Sequence, residues 1–298
     1  MRELLSPNQV AKAIGVSESS LKRWADQGRI PTVRTAGGHR RLPVNSVLEF
    51  VRDQGLELID PTILGLPAAT GSGQRTLERG RDHLLDAFAK GSYESALQII
   101  VDLYLVPYGV AEIFDTVMRP ALAEIGCRQA EGEMEIYEER RSVEFCSRIL
   151  HEVSRMLPSI NTTAPKAVGG TLDGDPYTTA SKMAELVLRS NGYRAILLGN
   201  ELPFDTIMRA VEAENPGLLW VSVSSIRNED VFTRRVNELY DACVSKQTQL
   251  IVGGVALNED VRRPLHYHGY CSTMSDLATF SRAHLEPLRR RGTIGDAL

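Results

Sequence analysis

A short acidic loop brings carboxylate, phenol and hydroxyl groups together at residues 173–179, within the stretch TLDGDPYTTASKMAEL (residues 171–186). The loop follows an apolar run and opens into an amphipathic segment, which is where an α/β protein usually binds its ligand. It contains Asp, Pro, Tyr and Thr, but no His, Cys or run of glycines. Asp175 followed by Pro176 also suits the beginning of a helix whose N-cap is the Asp side chain. The loop is therefore either a helix entry that binds nothing or part of a binding site.

A second group of candidate residues is basic and lies near the amino terminus. Residues 1–55 hold nine Lys and Arg against five acidic residues, a net charge of +4, whereas the whole chain carries −4 and the remainder carries −8. A basic end on an acidic body predicts a polyanion as the partner of that end. The residues expected to contact it are Ser17, Ser19, Ser20, Lys22, Arg23, Arg34, Thr35, His39, Arg40 and Arg41.

The elements that position these basic residues have clear boundaries. Ser6 and Pro7 suit a helix start, Gly15 a helix end, and Ser17 the cap of a second helix whose residues Leu21 and Trp24 face the core. The following Ala-Gly-Gly predicts a hairpin, and a further helix comes after it. Residues 1–57 are thus predicted to form a winged helix-turn-helix domain, in which the second helix enters the major groove of DNA.

The rest of the chain divides into three segments. Residues 58–74, rich in Pro, Gly and Thr, are expected to be a flexible linker. Residues 75–160 are expected to form a four-helix bundle. Residues 161–298 alternate apolar runs (KAVGGTL, RAILLG, LLWVSV, QLIVGG and YCS) with amphipathic helices, which predicts a flavodoxin-like, doubly wound parallel sheet. The predicted fold class is multidomain α and α/β.

Bulk properties exclude several classes of protein. The 298 residues are 43% hydrophobic and 24% charged, and no apolar stretch has the length of a signal peptide core or a membrane span. The four cysteines form no CxxC pair, so a reduced, cytoplasmic location without membrane partners is expected. His266 and His268 could form a metal pair, but no third ligand is near in sequence. No catalytic motif is present, so neither an enzyme nor a metal site is predicted.

The segment GVSESSLKRWADQGRIP followed by GGHRRL resembles the MerR family of transcriptional regulators over residues 5–52. In that family the second pattern forms the wing that follows the recognition helix. The resemblance implies binding to a double-stranded DNA operator as a homodimer or a higher oligomer.

With its helical and α/β segments, nearly the whole chain resembles the light-responsive, cobalamin-dependent CarH-like repressors of carotenoid synthesis. In that family Asp-x-His-x-x-Gly supplies a histidine to cobalt, a later Ser and Gly-Gly accommodate the nucleotide tail, and the bundle covers the upper face with Trp-x9-Glu-His. The corresponding positions in this chain are Gln129, Glu139, Arg140, Asp175, Tyr177, Ala180, Ser222, Gly253 and Gly254.

This chain keeps the spacing of the family's pocket positions but not the residue types that bind cobalamin there. Tyr177 stands where the family has the cobalt-binding His, and a phenol must lose its proton before it can bind a metal. Ala180 replaces a glycine that lets the cofactor approach, and Gln129 replaces the Trp. We expect that cobalamin binding is lost and that no cofactor is held. The sensor half would then serve oligomerisation or another signal.

Three alternatives stay open at this stage. The first is a regulator that senses light or a ligand, with cobalamin or a different small molecule between the bundle and the sheet. Arg140 would favour an anionic group there. The second is a cobalamin-dependent enzyme or its corrinoid carrier, against which the missing His and the DNA-binding head argue. The third is an interaction protein whose α/β half binds another protein.

Overall fold

The computed structural model describes residues 3–72 and 76–290 of the chain. The chain folds into two compact units that divide between Ser159 and Ile160. The predicted winged helix-turn-helix and the predicted bundle both belong to the first unit, and the predicted α/β segment forms the second.

The amino-terminal unit is mainly helical. In chain order it contains β1 (Leu4–Leu5), α1 (Pro7–Ala13), α2 (Glu18–Asp26), β2 (Val33–Arg34), β3 (Arg40–Pro43), α3 (Val44–Gln54), a 3-10 helix (Pro61–Leu64), α4 (Leu77–Ala89), α5 (Tyr93–Tyr104), α6 (Val110–Ile113), a π-helical segment (Phe114–Met118), α7 (Arg119–Ala130) and α8 (Ile136–Met156).

The first helices begin where their capping residues predict. The Ser6 hydroxyl accepts a hydrogen bond from the Gln9 amide, and the Gln9 side chain accepts one from the Ser6 amide, which is a complete capping box. The Ser17 hydroxyl likewise accepts from the Ser20 amide at the start of α2. Gly15 adopts a φ of +68°, so the chain can turn sharply between the two helices.

The wing is a three-stranded sheet in the order β1-β3-β2 rather than a two-stranded hairpin. Leu4 pairs with Pro43 and Leu5 with Leu42, both antiparallel. The strand β1 is not predictable from the sequence, because its two residues are too few to show an alternating pattern. Leu5 is fully buried, so this strand contributes to the core of the domain.

Residues 58–72, the connecting segment, contradict the prediction of a flexible linker; residues 73 and 74 lie outside the described part of the chain. Leu64 of the 3-10 helix is fully buried. The amides of Ile59 and Asp60 both donate to the Ala13 carbonyl oxygen, at 2.8 and 3.1 Å. Composition suggested flexibility, but Leu64 and Leu66 are buried and the amides of Ile59 and Asp60 are paired at the end of α1.

The helices of the predicted DNA-binding domain are joined directly to the bundle, which explains why the two form one unit. The Arg52 guanidinium, on α3, donates to the Tyr108 carbonyl oxygen at 2.8 Å and lies 5.0 Å above the ring of Tyr104 on α5. The Asn45 amide nitrogen, also on α3, donates to the Leu157 carbonyl oxygen at 3.1 Å.

The bundle matches the predicted helices, with one irregularity. The third of its four helices runs from Val110 to Ala130, but Phe114–Met118 is π-helical. Pro120 follows two residues later and has no amide hydrogen to donate to the preceding turn, so the hydrogen-bond ladder changes register in this region.

The carboxyl-terminal unit alternates strands and helices. In chain order it contains β4 (Lys166–Leu172), α9 (Thr179–Ser190), β5 (Arg194–Leu202), α10 (Phe204–Glu214), β6 (Leu218–Ser222), α11 (Glu229–Ser245), β7 (Gln249–Gly253), α12 (Glu259–Arg262), β8 (Gly269–Cys271) and α13 (Met274–Arg290).

Its five strands form one parallel sheet in the order β5-β4-β6-β7-β8. Helix α9 packs on β4, β5 and β6 and against α13, whereas α10 contacts β4 and packs against α11. The strand order reverses between β4 and β6, so the crevice between the loops that follow these two strands is the topological switch point. The predicted doubly wound, flavodoxin-like fold is confirmed.

Candidate functional site

The recognition helix α2 buries one face and exposes its basic residues. Leu21 is fully buried, as predicted, and Trp24 is half-buried, with its ring centroid 5.2 Å from that of Phe50. Lys22 and Arg23 lie on the exposed side. The side chains predicted to contact DNA from this helix are therefore available at its surface.

The serines of the first turn bond mainly to one another. The Ser17 hydroxyl lies 2.9 Å from those of both Ser19 and Ser20. Ser17 is also the helix cap, so its oxygen is already committed to the α2 backbone. The sequence analysis treated all three as candidate DNA contacts, but the structure gives Ser17 a structural role first.

Two of the predicted phosphate-binding residues are paired with acidic side chains of α2. The Lys22 ammonium lies 2.7 Å from the Glu18 carboxylate, one turn earlier. The Arg40 guanidinium, on β3, lies 2.7 Å from the Asp26 carboxylate at the end of α2. Each pair lowers the positive charge that the domain presents to DNA.

The tip of the wing is a tight turn that exposes Arg34 and His39. The Gly38 amide donates to the Thr35 carbonyl oxygen at 2.8 Å, and the His39 amide donates to the Thr35 hydroxyl at 3.2 Å. Gly38 has a φ of +76°, a conformation that favours glycine. Arg34 donates to the Gly38 carbonyl oxygen at 3.3 Å, and Arg41 is half-buried.

Arg29 is a residue whose role the sequence analysis missed. Its guanidinium lies 5.7 Å from the ring of Trp24 and 5.5 Å from the ring of Phe50, and it donates to the Gln54 side chain. These contacts join the end of α2 to α3, so Arg29 holds the recognition helix in place. Its signal in the sequence is weak, because nothing in the local pattern shows that Phe50 lies beside it.

The loop after β4 differs from the prediction that Asp175 caps the next helix. Helix α9 begins at Thr179 with Thr178 as its N-cap, two to three residues later than expected. One Asp175 oxygen accepts from the Tyr177 amide at 3.1 Å, and the other accepts from the Ser224 amide at 2.6 Å. Asp175 therefore ties the loop after β4 to the loop after β6.

This carboxylate lies within the protein, at the switch point. Asp175 is 2% exposed, and burial raises its pKa, against the opposing effect of the backbone amides that donate to it. On the adjoining surface the Arg227 side chain lies over Gly174 and forms an ion pair with Glu201 at 3.3 Å. The chain's own groups thus bridge the crevice in which a parallel sheet of this order usually binds its ligand.

The interior beneath the loop is filled by an indole ring. Trp220 on β6 is 2% exposed, and its Nε1 donates to the Ser181 hydroxyl on α9 at 2.9 Å. A Cβ added at Gly169, its register partner on β4, would lie 2.2 Å from the Trp220 ring. The tryptophan takes the space that a side chain on β4 would otherwise fill.

The two glycines of the predicted pocket lie in close packing contacts of their own, and the other pocket residues differ in burial. A Cβ at Gly253 would lie 2.4 Å from the Cys271 carbonyl oxygen, and one at Gly254 would lie 2.2 Å from the Val223 carbonyl oxygen. Ser222 is buried at the end of β6, and Ala180 is half-buried. Tyr177 is 56% exposed.

The other three predicted pocket residues belong to the amino-terminal unit. Gln129 is half-buried near the end of α7. Arg140 is exposed near the start of α8, where its Nε lies 3.3 Å from the carboxylate of its neighbour Glu139. The nine residues of the predicted pocket therefore divide between the two compact units.

The two histidines considered as a metal pair have other contacts. His268 accepts a hydrogen bond from the Leu250 amide at Nδ1, at 2.9 Å, and its ring lies 4.8 Å from that of Tyr240. The ring of His266 contacts the same tyrosine at 5.7 Å. Over residues 3–72 and 76–290, no group of three or more His, Cys, Asp or Glu side chains could hold a metal ion.

Comparison with known proteins agrees with this geometry. Residues 4–55 match the family model of a helix-turn-helix domain. The transcriptional repressor CarA of Myxococcus xanthus is 20% identical over 85% of this chain and 87% of its own length. The repressor CarH of the same organism is 24% identical over 84% of this chain and 88% of its own length.

Two further matches cover 72% and 70% of this chain. A methionine synthase from Mycobacterium tuberculosis is 20% identical over 72% of this chain, which covers 20% of that enzyme. The monomethylamine corrinoid protein of Methanosarcina barkeri superposes with a TM-score of 0.57 at 12% identity, over 70% of this chain and 97% of that chain. At this identity the likeness concerns the fold.

No helix among the described residues is long and apolar enough to cross a membrane.

Proposed function

We propose that the α/β domain of this chain has lost the ability to bind cobalamin. The chain is a helix-turn-helix transcriptional regulator, and this α/β domain is cobalamin-binding-like. The chain would bind a double-stranded DNA operator as a dimer, in the manner of helix-turn-helix proteins. Its larger part would supply self-association or respond to another signal.

The DNA-binding half of the proposal is supported by the exposed side chains of α2 and the wing. Lys22, Arg23 and Arg34 are exposed on elements that the Ser17 cap and the pairing of β2 with β3 hold in place. Cationic side chains on a rigid helix and wing are what groove and phosphate contacts require.

The observation that carries the loss of cobalamin is the bridge across the switch point. A bulky ligand entering the crevice between β4 and β6 would have to break the hydrogen bond from the Ser224 amide to Asp175. It would also have to displace the Trp220 indole from its place against α9. Each change exposes or orphans a buried group, which costs about 1–3 kcal/mol per lost hydrogen bond.

The side chains that would face the cofactor also argue against cobalamin binding. Cobalt in this class of cofactor takes a neutral imidazole nitrogen, and Tyr177 offers a phenol instead. The Ala180 methyl stands where close approach would need a glycine. The residues present therefore do not fit the cofactor.

The test is size-exclusion chromatography of the full chain with an in-line visible spectrum. The protein is run in the dark, alone and after incubation with adenosylcobalamin, and again after illumination. We expect a colourless peak whose mass is the same in every run. A coloured peak whose mass changes in the dark and reverts in light would overturn the proposal.

A Tyr177→His variant separates the missing ligand from the closed crevice. Tyr177 is 56% exposed, so the substitution should leave the fold intact. We expect the variant to stay colourless, because the Asp175 bridge and the Trp220 indole remain. A coloured Tyr177→His peak beside a colourless wild type would show that only the metal ligand is missing, and would refute the closed crevice.

A further inference from the structure

The recognition helix carries a carboxylate on a surface that meets a polyanion. Glu18 is the first residue of α2, and its side chain is 39% exposed. Near DNA phosphates a negative charge is unfavourable, so this position needs a compensating contact.

Glu18 is held in a defined orientation from both sides. One carboxylate oxygen lies 2.7 Å from the Lys22 ammonium, and the other accepts from the Asn8 side chain at 3.3 Å. Asn8 lies on α1, so the carboxylate is fixed between the two helices of the motif. The hydrogen bonds from Lys22 and Asn8 also lower its pKa, and the group stays ionised. A carboxylate has about four acceptor positions, and these two contacts leave others open to the surface.

The neighbouring hydroxyls are less available than their exposure suggests. Ser17, Ser19 and Ser20 are bonded among themselves, and Ser17 also caps the helix. The first turn of α2 therefore presents an oriented carboxylate beside an ammonium as its strongest hydrogen-bonding groups.

Only certain groups in the major groove can donate to a carboxylate. Phosphates, guanine N7 and O6, and thymine O4 are acceptors, whereas cytosine N4 and adenine N6 donate. Adenine also presents N7 beside its amino group, and this acceptor would face the second carboxylate oxygen. Cytosine is the base that fits an ionised Glu.

We propose that Glu18 is a specificity-determining residue that accepts a hydrogen bond from N4 of a cytosine in each operator half-site. Lys22 and Asn8 are its positioning residues. This inference rests on the proposed DNA-binding function and names part of the sequence that the regulator would read.

The experiment is selection of binding sites by the full chain from random double-stranded DNA at fixed salt. We expect the wild-type motif to hold an invariant cytosine at one position of each half-site. For Glu18→Gln, preference for that cytosine over the other bases should fall about 5- to 100-fold and move toward adenine, which Gln recognises. Preferences at the other positions should be unchanged.

Asp26→Asn is the matched control, since it removes a paired carboxylate from the other end of the same helix. We expect it to raise affinity for all sequences and to leave the base preferences as they are. Thermal unfolding of both variants checks that each is folded.

The outcomes distinguish the two proposals. If Glu18→Gln behaves like Asp26→Asn, with tighter binding and the same motif, Glu18 reads no base and the inference is wrong while DNA binding stands. If the wild-type chain selects no motif, both this inference and sequence-specific regulation are wrong.

Discussion

Basic side chains of the DNA-binding domain have different tasks, although they look alike in the sequence. Arg23 is exposed on α2, whereas Arg29 lies over Trp24 and Phe50 and bonds to Gln54. A phosphate contact releases counterions and makes binding salt-dependent, and a packing contact does not.

We therefore expect Arg23→Gln to weaken DNA binding at all sequences and to lower the salt slope by about one. Arg29→Gln should weaken binding with the slope unchanged, and should also lower the free energy of unfolding by about 1 kcal/mol through lost ring contacts. Binding isotherms over a range of salt concentrations, with chemical denaturation, measure both. A reduced slope for Arg29→Gln would show that this residue contacts phosphate.

Asp175 makes stability depend on pH in a defined direction. Because burial raises its pKa, the folded chain holds this proton to higher pH than the unfolded chain does. Its contribution to the free energy of unfolding is fully present below the ordinary value of 3.8 and is lost as pH rises through the raised pKa.

The free energy of unfolding of wild type minus that of Asp175→Asn should therefore fall as pH rises through this range. The variant should also be less stable by about 1–3 kcal/mol, because Asn has one acceptor oxygen for the two amides, of Tyr177 and Ser224, that donate to Asp175. Denaturation at a series of pH values tests this, with Asp173→Asn as a control for charge removal at an exposed site in the same loop. A difference that grows with pH would contradict the burial of Asp175.

At the scale of elements, the turn after β7 needs glycine because it packs closely against the segment after β6. Gly254 has a φ of +127°, and an added Cβ would lie 2.2 Å from the Val223 carbonyl oxygen. We expect Gly254→Ala to destabilise the α/β unit by about 3 kcal/mol or more. Gly126→Ala, in the interior of α7 where an added Cβ meets open space, should instead stabilise by about 1 kcal/mol. Thermal unfolding compares the two variants. If Gly254→Ala leaves the stability unchanged, packing does not require this glycine, and the Gly-Gly pair would again be a candidate ligand contact.

Elements with a long, regular pattern were predictable from the sequence. The strand β4 runs from Lys166 to Leu172, which is the predicted segment KAVGGTL. Apolar runs bounded by glycines leave few alternatives for a buried parallel strand. The positions of the exposed basic residues followed in turn from Ser17 as a helix cap.

Features that depend on distant contacts were not predictable. The bond from the Ser224 amide to Asp175 joins residues 49 positions apart, and the local Asp-Pro pattern suggested a helix cap instead. The same limit applies to the order of the connecting segment, since its amides pair with Ala13, some 46 residues earlier. The ion pair of Arg40 with Asp26 likewise requires the wing to fold back on α2.

At the scale of the whole amino-terminal unit, Arg52 couples the DNA-binding helices to the bundle. It contacts the ring of Tyr104, whose pKa burial raises to about 12, and it also bonds to the Tyr108 carbonyl oxygen. We expect Arg52→Ala to leave the Tyr108 carbonyl without this donor and to cost about 1–3 kcal/mol. Proteolysis of the variant should then release residues 1–57 as a fragment, whereas the wild type should resist cleavage between residues 58 and 72. Equal cleavage rates would indicate that this coupling is weak.

If the chain binds DNA as the proposed dimer, the ordered connecting segment has a consequence for the spacing of the two half-sites. In the proposed dimer, a head on a flexible tether would search for its half-site over a range of separations, whereas a head fixed to the body delivers its recognition helix at one separation and one helical phase. Inserting about 5 or about 10 base pairs between half-sites should therefore reduce binding to that of a single head in both cases. The reason is that the ordered segment does not let the second head move to the displaced half-site. Loosening it, by Leu64→Gly with Ile59→Gly, should restore tolerance at the longer spacing and lower affinity at the natural one. In the proposed dimer, the segment would thus fix the distance between the half-sites that the chain can bind.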